Sequence, residues 1–195
     1  MVSALKLLLR ATALLLLINC TYSCSDGVAK NSKESSVQSE LKDFAQYVDP
    51  FIGTAKMGHV YPGATVPFGS VQLSPDTDTI PYAVNGKYNP DVYKYCAGYQ
   101  YDDPTIVGFS HTHFSGTGHS DLGDFLIMPT TGKLQLNPGT EANPESGYRS
   151  RFSHERETAE PGYYSVMLDD YGIKAEMTAT TRVGMHQYTF PEAEN

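Results

Sequence analysis

Apolar and polar residues alternate strictly over 173–180, so Ile173, Ala175, Met177 and Ala179 fall on one face of an extended chain. That pattern predicts a half-buried antiparallel strand. Residues 164–168 read as a second strand, and Asp169, Asp170 and Gly172 supply turn residues between the two, which predicts a β-hairpin. Residues 183–190 continue the meander. Shorter runs at 70–73, 105–109, 124–128 and 133–136 are separated by Pro and Gly clusters, and no stretch after Lys42 carries a helical stripe. The expected fold class is therefore all-β, a β-sandwich over residues 45–195. The strand pattern runs almost to Asn195 beside an unfinished sheet edge, so the chain is expected to be the N-terminal piece of a longer protein, incomplete at its C-terminus.

The N-terminus has a different grammar. Lys6 and Arg10 precede an apolar run over 11–18 that is far short of a membrane span of about 20 residues, as in an export signal. Ser23 places a small residue before Cys24, which suits bacterial lipoprotein processing, whereas Asn19 before Cys20 fits less well. The expectation is a signal peptide and lipobox over 1–24, lipidation at Cys24, and a flexible polar tether over 25–44. The protein would then be exported and held to the bacterial outer membrane by the lipid anchor alone, on its periplasmic or cell-surface face. The alternative is an ordinary cleaved signal with two incidental cysteines, leaving a soluble periplasmic protein.

Only Cys96 would remain after processing, so an internal disulfide is excluded and stability must come from a packed core. A composition that is 40% hydrophobic, with 14 Tyr and 8 Phe, is sufficient for one. A net charge of −8 with no basic cluster argues against nucleic acid as a partner.

Candidate chemistry concentrates in residues 108–124, which hold three of the six histidines (His111, His113, His119) among Gly, Ser, Thr and Asp. Glycine permits close backbone approach to a ligand, and the polar side chains offer donors and acceptors at short reach, so the segment reads as a binding loop. His111 and His113 alternate as on a strand, and both could face one site. Such a pair could also hold zinc with Asp121, but no third ligand stands at a familiar spacing, and the abundance of Ser and Gly favours hydroxyl recognition. A third reading has one of the two histidines cross-linking the loop internally. Asp121, Asp124 and the Asp102-Asp103-Pro104 stretch read as turn residues rather than as an acid/base pair.

Three ordered motifs carry a resemblance: Val48-Asp49-Pro50-Phe51-Ile52-Gly53-Thr54, then Gly58-His59-Val60-Tyr61-Pro62-Gly63-Ala64-Thr65-Val66-Pro67-Phe68-Gly69, then the His-rich loop. Together they resemble the N-terminal domain of glycoside hydrolase family 92, calcium-dependent exo-acting α-mannosidases that invert configuration. The resemblance covers about Tyr47 to the end of the chain. It implies a β-sandwich that packs on an (α/α)6 barrel absent here, with the sugar site at their junction. It assigns both catalytic carboxylates and most of the Ca2+ ligands to that barrel, leaving this chain without catalytic or metal-binding residues of its own. The implied partners are α-mannosides of N-glycans or mannan and the missing C-terminal domain.

Under this resemblance the substrate-binding set is Phe51, Gly53, Thr54, His59, Gly69, Ser110, His111, His113, Ser115, Gly116 and Thr117. Phe51 would offer an apolar face to a sugar ring, although a core position suits it equally, and Gly53 and Gly69 would let backbone approach hydroxyls. His59, ahead of a Pro-Gly turn, would project from the surface toward ligand. A tethered carbohydrate-binding lipoprotein without chemistry, and a His-rich metal-binding surface protein, are the competing readings.

Overall fold

The computed structural model describes residues 43–77, 80–116 and 124–193. Two compact units divide the chain, Met1–Asp43 and Phe44–Asn195. The first lies outside the described residues apart from Asp43, and so do the expected lipidation site Cys24 and the loop residues Thr117, His119 and Asp121.

The second unit is all-β. Strands β1 (Ala64–Thr65), β2 (Gln72–Asp76) and β6 (Gly108–Ser110) form one antiparallel sheet in the order β1-β2-β6. A second sheet contains β8 (Glu157–Glu160), β9 (Tyr163–Leu168), β10 (Ile173–Ala179) and β11 (Gly184–Thr189) in the order β11-β10-β9-β8. Two short pairs complete the unit. Strands β3 (Ala83–Val84) and β4 (Lys87–Tyr88) close around Asn85-Gly86, whose φ values of 52° and 71° match the two-residue turn that hairpin twist favours. Strand β5 (Thr105–Ile106) pairs with β7 (Ser150–Arg151).

The predicted hairpin is present, with Ala175 opposite Val166 and Met177 opposite Tyr164. Ile173, Ala175, Met177 and Ala179 are all buried, as their alternation requires. They meet Ala64, Leu73, Ile106 and Phe109 of the other strands in a single hydrophobic core. Burying a side chain of this size is worth about 1.5–3 kcal/mol, so truncating Leu73 would cost about 2–5 kcal/mol.

The inward face of the four-stranded sheet turns polar at both edges. Its rows run Glu157, Val166, Ala175, Tyr188 and Ala159, Tyr164, Met177, His186 across the ladder. Glu157 is buried on β8, where it accepts from the hydroxyls of Tyr99 (3.0 Å) and Tyr164 (2.6 Å) and meets His154 Nδ1 at 2.5 Å. Both tyrosines are held far above their ordinary pKa by burial first and by the Glu157 carboxylate second. At the opposite edge the inward residues are Gly184, His186 and Tyr188.

Three sequence expectations need correction. The run 105–109 is split at Val107, whose N–H turns to the Asp76 carbonyl (2.8 Å), so β5 joins β7 while β6 joins β2. Residues 124–128 contribute an isolated bridge, Phe109 to Ile127, rather than a strand. Residues 133–136 form no ladder, and Leu134 and Leu136 are exposed, so their alternation had no second layer to face.

Candidate functional site

The first two motifs are locked by backbone contact. A Cβ on Gly58 would fall 2.0 Å from the Gly53 carbonyl oxygen, so only glycine allows the two segments to touch. Beyond it, Val66-Pro67-Phe68-Gly69 makes a tight turn closed by the Gly69 N–H to the Val66 carbonyl (2.9 Å). Phe68 occupies its third position at φ 58°, a left-handed conformation costing a side-chain-bearing residue about 1–2 kcal/mol, and its ring stands wholly in solvent.

The third motif is set by His113. Its Nδ1 donates to the Gln72 carbonyl (2.8 Å) and its Nε2 faces Asp76 Oδ1 (3.1 Å), with Ser110 Oγ at 3.2 Å from the same nitrogen. Acceptors on both ring nitrogens favour the doubly protonated ring. Burial opposes this charge, but the Asp76 carboxylate and the Gln72 carbonyl outweigh it and hold His113 above the ordinary histidine value. Ser110, His113 and Asp76 therefore make a charged clamp rather than a nucleophile and its base, because serine and aspartate share one nitrogen and a carbonyl takes the other. Gly98 closes the clamp: at φ 80°, its missing Cβ leaves room for Asp76 Oδ1 and the His113 ring edge.

These constraints open a groove of about 850 Å³ into which all three motifs feed. The first contributes Val48, Asp49, Pro50 and Ile52, and the second runs from Val60 and Tyr61 to Gly69. The third contributes His113, Phe114 and Ser115, while Gln72 and Glu160 complete the polar lining. Tyr61 lies 5.3 Å from the His113 ring, and its phenol is raised by burial against a lowering hydrogen bond with Thr65. The exposed rings of Phe68 and Phe114 give the groove apolar surfaces, and the amide oxygen of Gln72 is buried without a hydrogen-bond partner. Asp49 is partly committed, accepting from the Phe51 N–H at 2.9 Å.

Of the residues expected from sequence, Gly69, His113 and Ser115 line this groove. The others serve around it. Phe51 packs against Tyr101 (5.7 Å) and the core, the second of the two roles its sequence context allowed. Gly53 sits at φ 86° against Val60, and Thr54 is buried, its hydroxyl donating to the Phe51 carbonyl. His59 corrects the expectation of a projecting side chain. It is 6% exposed, turned inward at φ 50° onto the Tyr93 ring (4.8 Å), and its carbonyl accepts the Gly116 N–H. His111 and His113 do not share a site, because β6 ends at Ser110 and the chain turns; His111 goes to Phe125 and His186 instead.

Tyr61, Phe68, Gln72 and Phe114 are among the groove residues outside the set expected from sequence. Phe68 alone left a signal, a bulky residue at the turn position where glycine is favoured. Among the described residues, no group of three or more His, Cys, Asp or Glu side chains is placed to hold a metal ion. A Ca2+ ion would thus draw at most two carboxylates from any one place among these residues, its other oxygens coming from carbonyls, amides or a further part of the protein.

Comparison with known proteins places this geometry. The model of the glycosyl hydrolase family 92 N-terminal domain matches residues 47–195. An uncharacterized secreted glycosidase of Arthroderma benhamiae is 31% identical over 159 residues, which is 76% of this chain and 18% of that protein. A family GH92 α-mannosidase of Bacteroides thetaiotaomicron, solved in complex with mannoimidazole, is 51% identical with a TM-score of 0.70, over 78% of this chain and 19% of that one. A GH92 inverting mannosidase from Bacteroides thetaiotaomicron VPI-5482 is 30% identical with a TM-score of 0.54, over 76% and 18%. The chain thus spans about a fifth of the length of these relatives. Three motifs meeting in one groove and a family match over most of the chain lead to one conclusion: this protein belongs to glycosyl hydrolase family 92, through that family's N-terminal domain.

Proposed function

We propose that this chain is the substrate-binding N-terminal domain of an inverting, calcium-dependent exo-α-mannosidase acting on α-mannosidic linkages of N-glycans or mannan. The observation that carries the reading is the convergence of the three motifs on one groove with both aromatic and polar walls. Phe68 and Phe114 offer faces to sugar C–H groups. Thr65, Gln72 and Ser115 offer hydrogen-bonding groups to hydroxyls, and His113, tied to the Gln72 carbonyl and to Asp76, fixes the inner wall.

Inversion needs an acid and a base about 6.5–9.5 Å apart with water between them. We assign that pair and the calcium site to the further domain that the longer relatives imply, and no catalytic step to these 195 residues. The same proposal makes the protein exported and anchored through Cys24.

The test compares the 195-residue chain with an extended form carrying a family 92 C-terminal region, assayed on aryl α-mannosides and high-mannose glycan with and without a chelator. The extended form is expected to release mannose with inversion only while calcium is present, and the short chain to release none. Chelator-sensitive turnover by the short chain would overturn this division of labour. Mannose binding without cleavage by both forms would favour a tethered carbohydrate-binding lipoprotein.

A further inference from the structure

Strand β11 reaches the loop that follows β6 through a row of polar side chains, none of which lines the groove. Tyr188 Oη lies 2.8 Å from His186 Nδ1, His186 Nε2 lies 3.2 Å from His111 Nε2, and His111 Nδ1 lies 3.1 Å from the Phe125 carbonyl oxygen. Gly184 eases the approach: a Cβ there would stand 3.1 to 3.2 Å from Val71, Leu73 and the His111 ring, close enough to crowd all three.

The carbonyl fixes the direction of the whole row. A carbonyl oxygen accepts and never donates, so His111 Nδ1 carries hydrogen. In a neutral pair His111 Nε2 then accepts, His186 Nε2 donates, His186 Nδ1 accepts, and Tyr188 donates. Burial, with the neighbouring His111 ring second, holds His186 down to about 4, and burial pushes Tyr188 up to about 12, so both stay neutral near pH 7.

We propose that His186 and Tyr188 are positioning residues: a one-way hydrogen-bond chain from Tyr188 through His186 and His111 to the Phe125 carbonyl clamps the loop that presents His113 and Ser115 to the groove. His111 is well placed to transmit the constraint. Its backbone carbonyl accepts from Gln72 and its N–H donates to the Asp124 carbonyl, so it joins β2 to both ends of the loop. What the groove binds rests on the proposed function; the clamp does not.

Histidine 15N NMR reads ring tautomers in dissolved or sedimented protein, and it tests the chain directly. At pH 7 His111 is expected as the Nδ1–H tautomer and His186 as the Nε2–H tautomer. His186→Gln keeps a donor toward His111, whereas His186→Leu removes it. Exchange of the His113 Nδ1 proton is expected to quicken about tenfold in His186→Leu, the scale of a lost hydrogen bond, and far less in His186→Gln. Tyr188→Phe should leave His186 as the Nε2–H tautomer, because the Phe125 carbonyl directs the row from its other end. His111 found as Nε2–H, or His113 exchange equal in all variants, would overturn the clamp. So would zinc shifting both Nε2 signals together, which would make the pair a metal site. A wild-type chain with the expected tautomers and no mannoside affinity would refute the proposed function and leave the clamp intact.

Discussion

Tyr164 donates its hydroxyl hydrogen to Glu157 over 2.6 Å, in a pocket where the Glu157 side chain is wholly shielded from water. The carboxylate keeps its solvation only by proxy, through Tyr99, Tyr164 and His154. Tyr164→Phe removes one donor and is expected to cost about 1–3 kcal/mol. Glu157→Leu leaves two buried hydroxyls without their acceptor and should cost more. Chemical denaturation of both variants checks the order, and a milder loss for Glu157→Leu would contradict it.

His113 and His186 should give the stability profile opposite slopes. His113 is raised in the folded state, so its contribution is full below the unfolded value of about 6.5 and is lost as pH rises through the folded value. His186 is lowered to about 4, so the unfolded chain takes a proton first and stability falls as pH drops from about 6.5 toward 4. Among the described residues, the groups facing His186 are His111 from the loop and Tyr188 from its own strand, with the apolar Phe109 ring near Tyr188. Thermal melts across pH 4 to 9 should flatten on the alkaline side in His113→Asn and on the acid side in His186→Gln.

Phe68 holds a left-handed backbone and a fully exposed ring at the groove rim. Phe68→Gly relieves that conformation and is expected to raise stability by up to about 1 kcal/mol, since the flexibility of glycine returns part of the gain. Saccharide binding by the extended form should weaken at the same time. A variant that is both less stable and fully active would show the ring to be structural.

Lipidation is tested at two cysteines. Cys24→Ala should release the protein from the membrane and Cys20→Ala should not, because stable anchoring depends on the acyl chains. A mature N-terminus beginning at unmodified Ser25 or later, found by mass spectrometry, would remove the anchor.

The sandwich was legible where one face is buried and the other wet, as on β10, because period-two alternation then maps directly onto burial. It was illegible where strands are two residues long, as for β1 and β7, since so few positions carry no period. The groove was half legible. Its motifs stood out through Gly, Pro and His, but the side-chain directions did not. His59 and His111 were turned away by backbone geometry that emerges only when Gly58 meets Gly53 and Gly184 admits the loop. Gln72 reads as one more strand residue until β2 brings it to the groove floor.

The inward row Gly184, His186, Tyr188 also acts as an index mark for the edge strand. Sliding β11 by two residues would preserve every inside and outside position, so hydrophobicity alone could not tell the shifted alignment from the native one. The two imidazoles can tell, because only one alignment brings their Nε2 atoms together while Gly184 lies beneath the His111 ring. Slippage would crowd a bulkier residue against the His111 ring and strand both imidazoles, so an error that leaves the greasy face intact is still penalised.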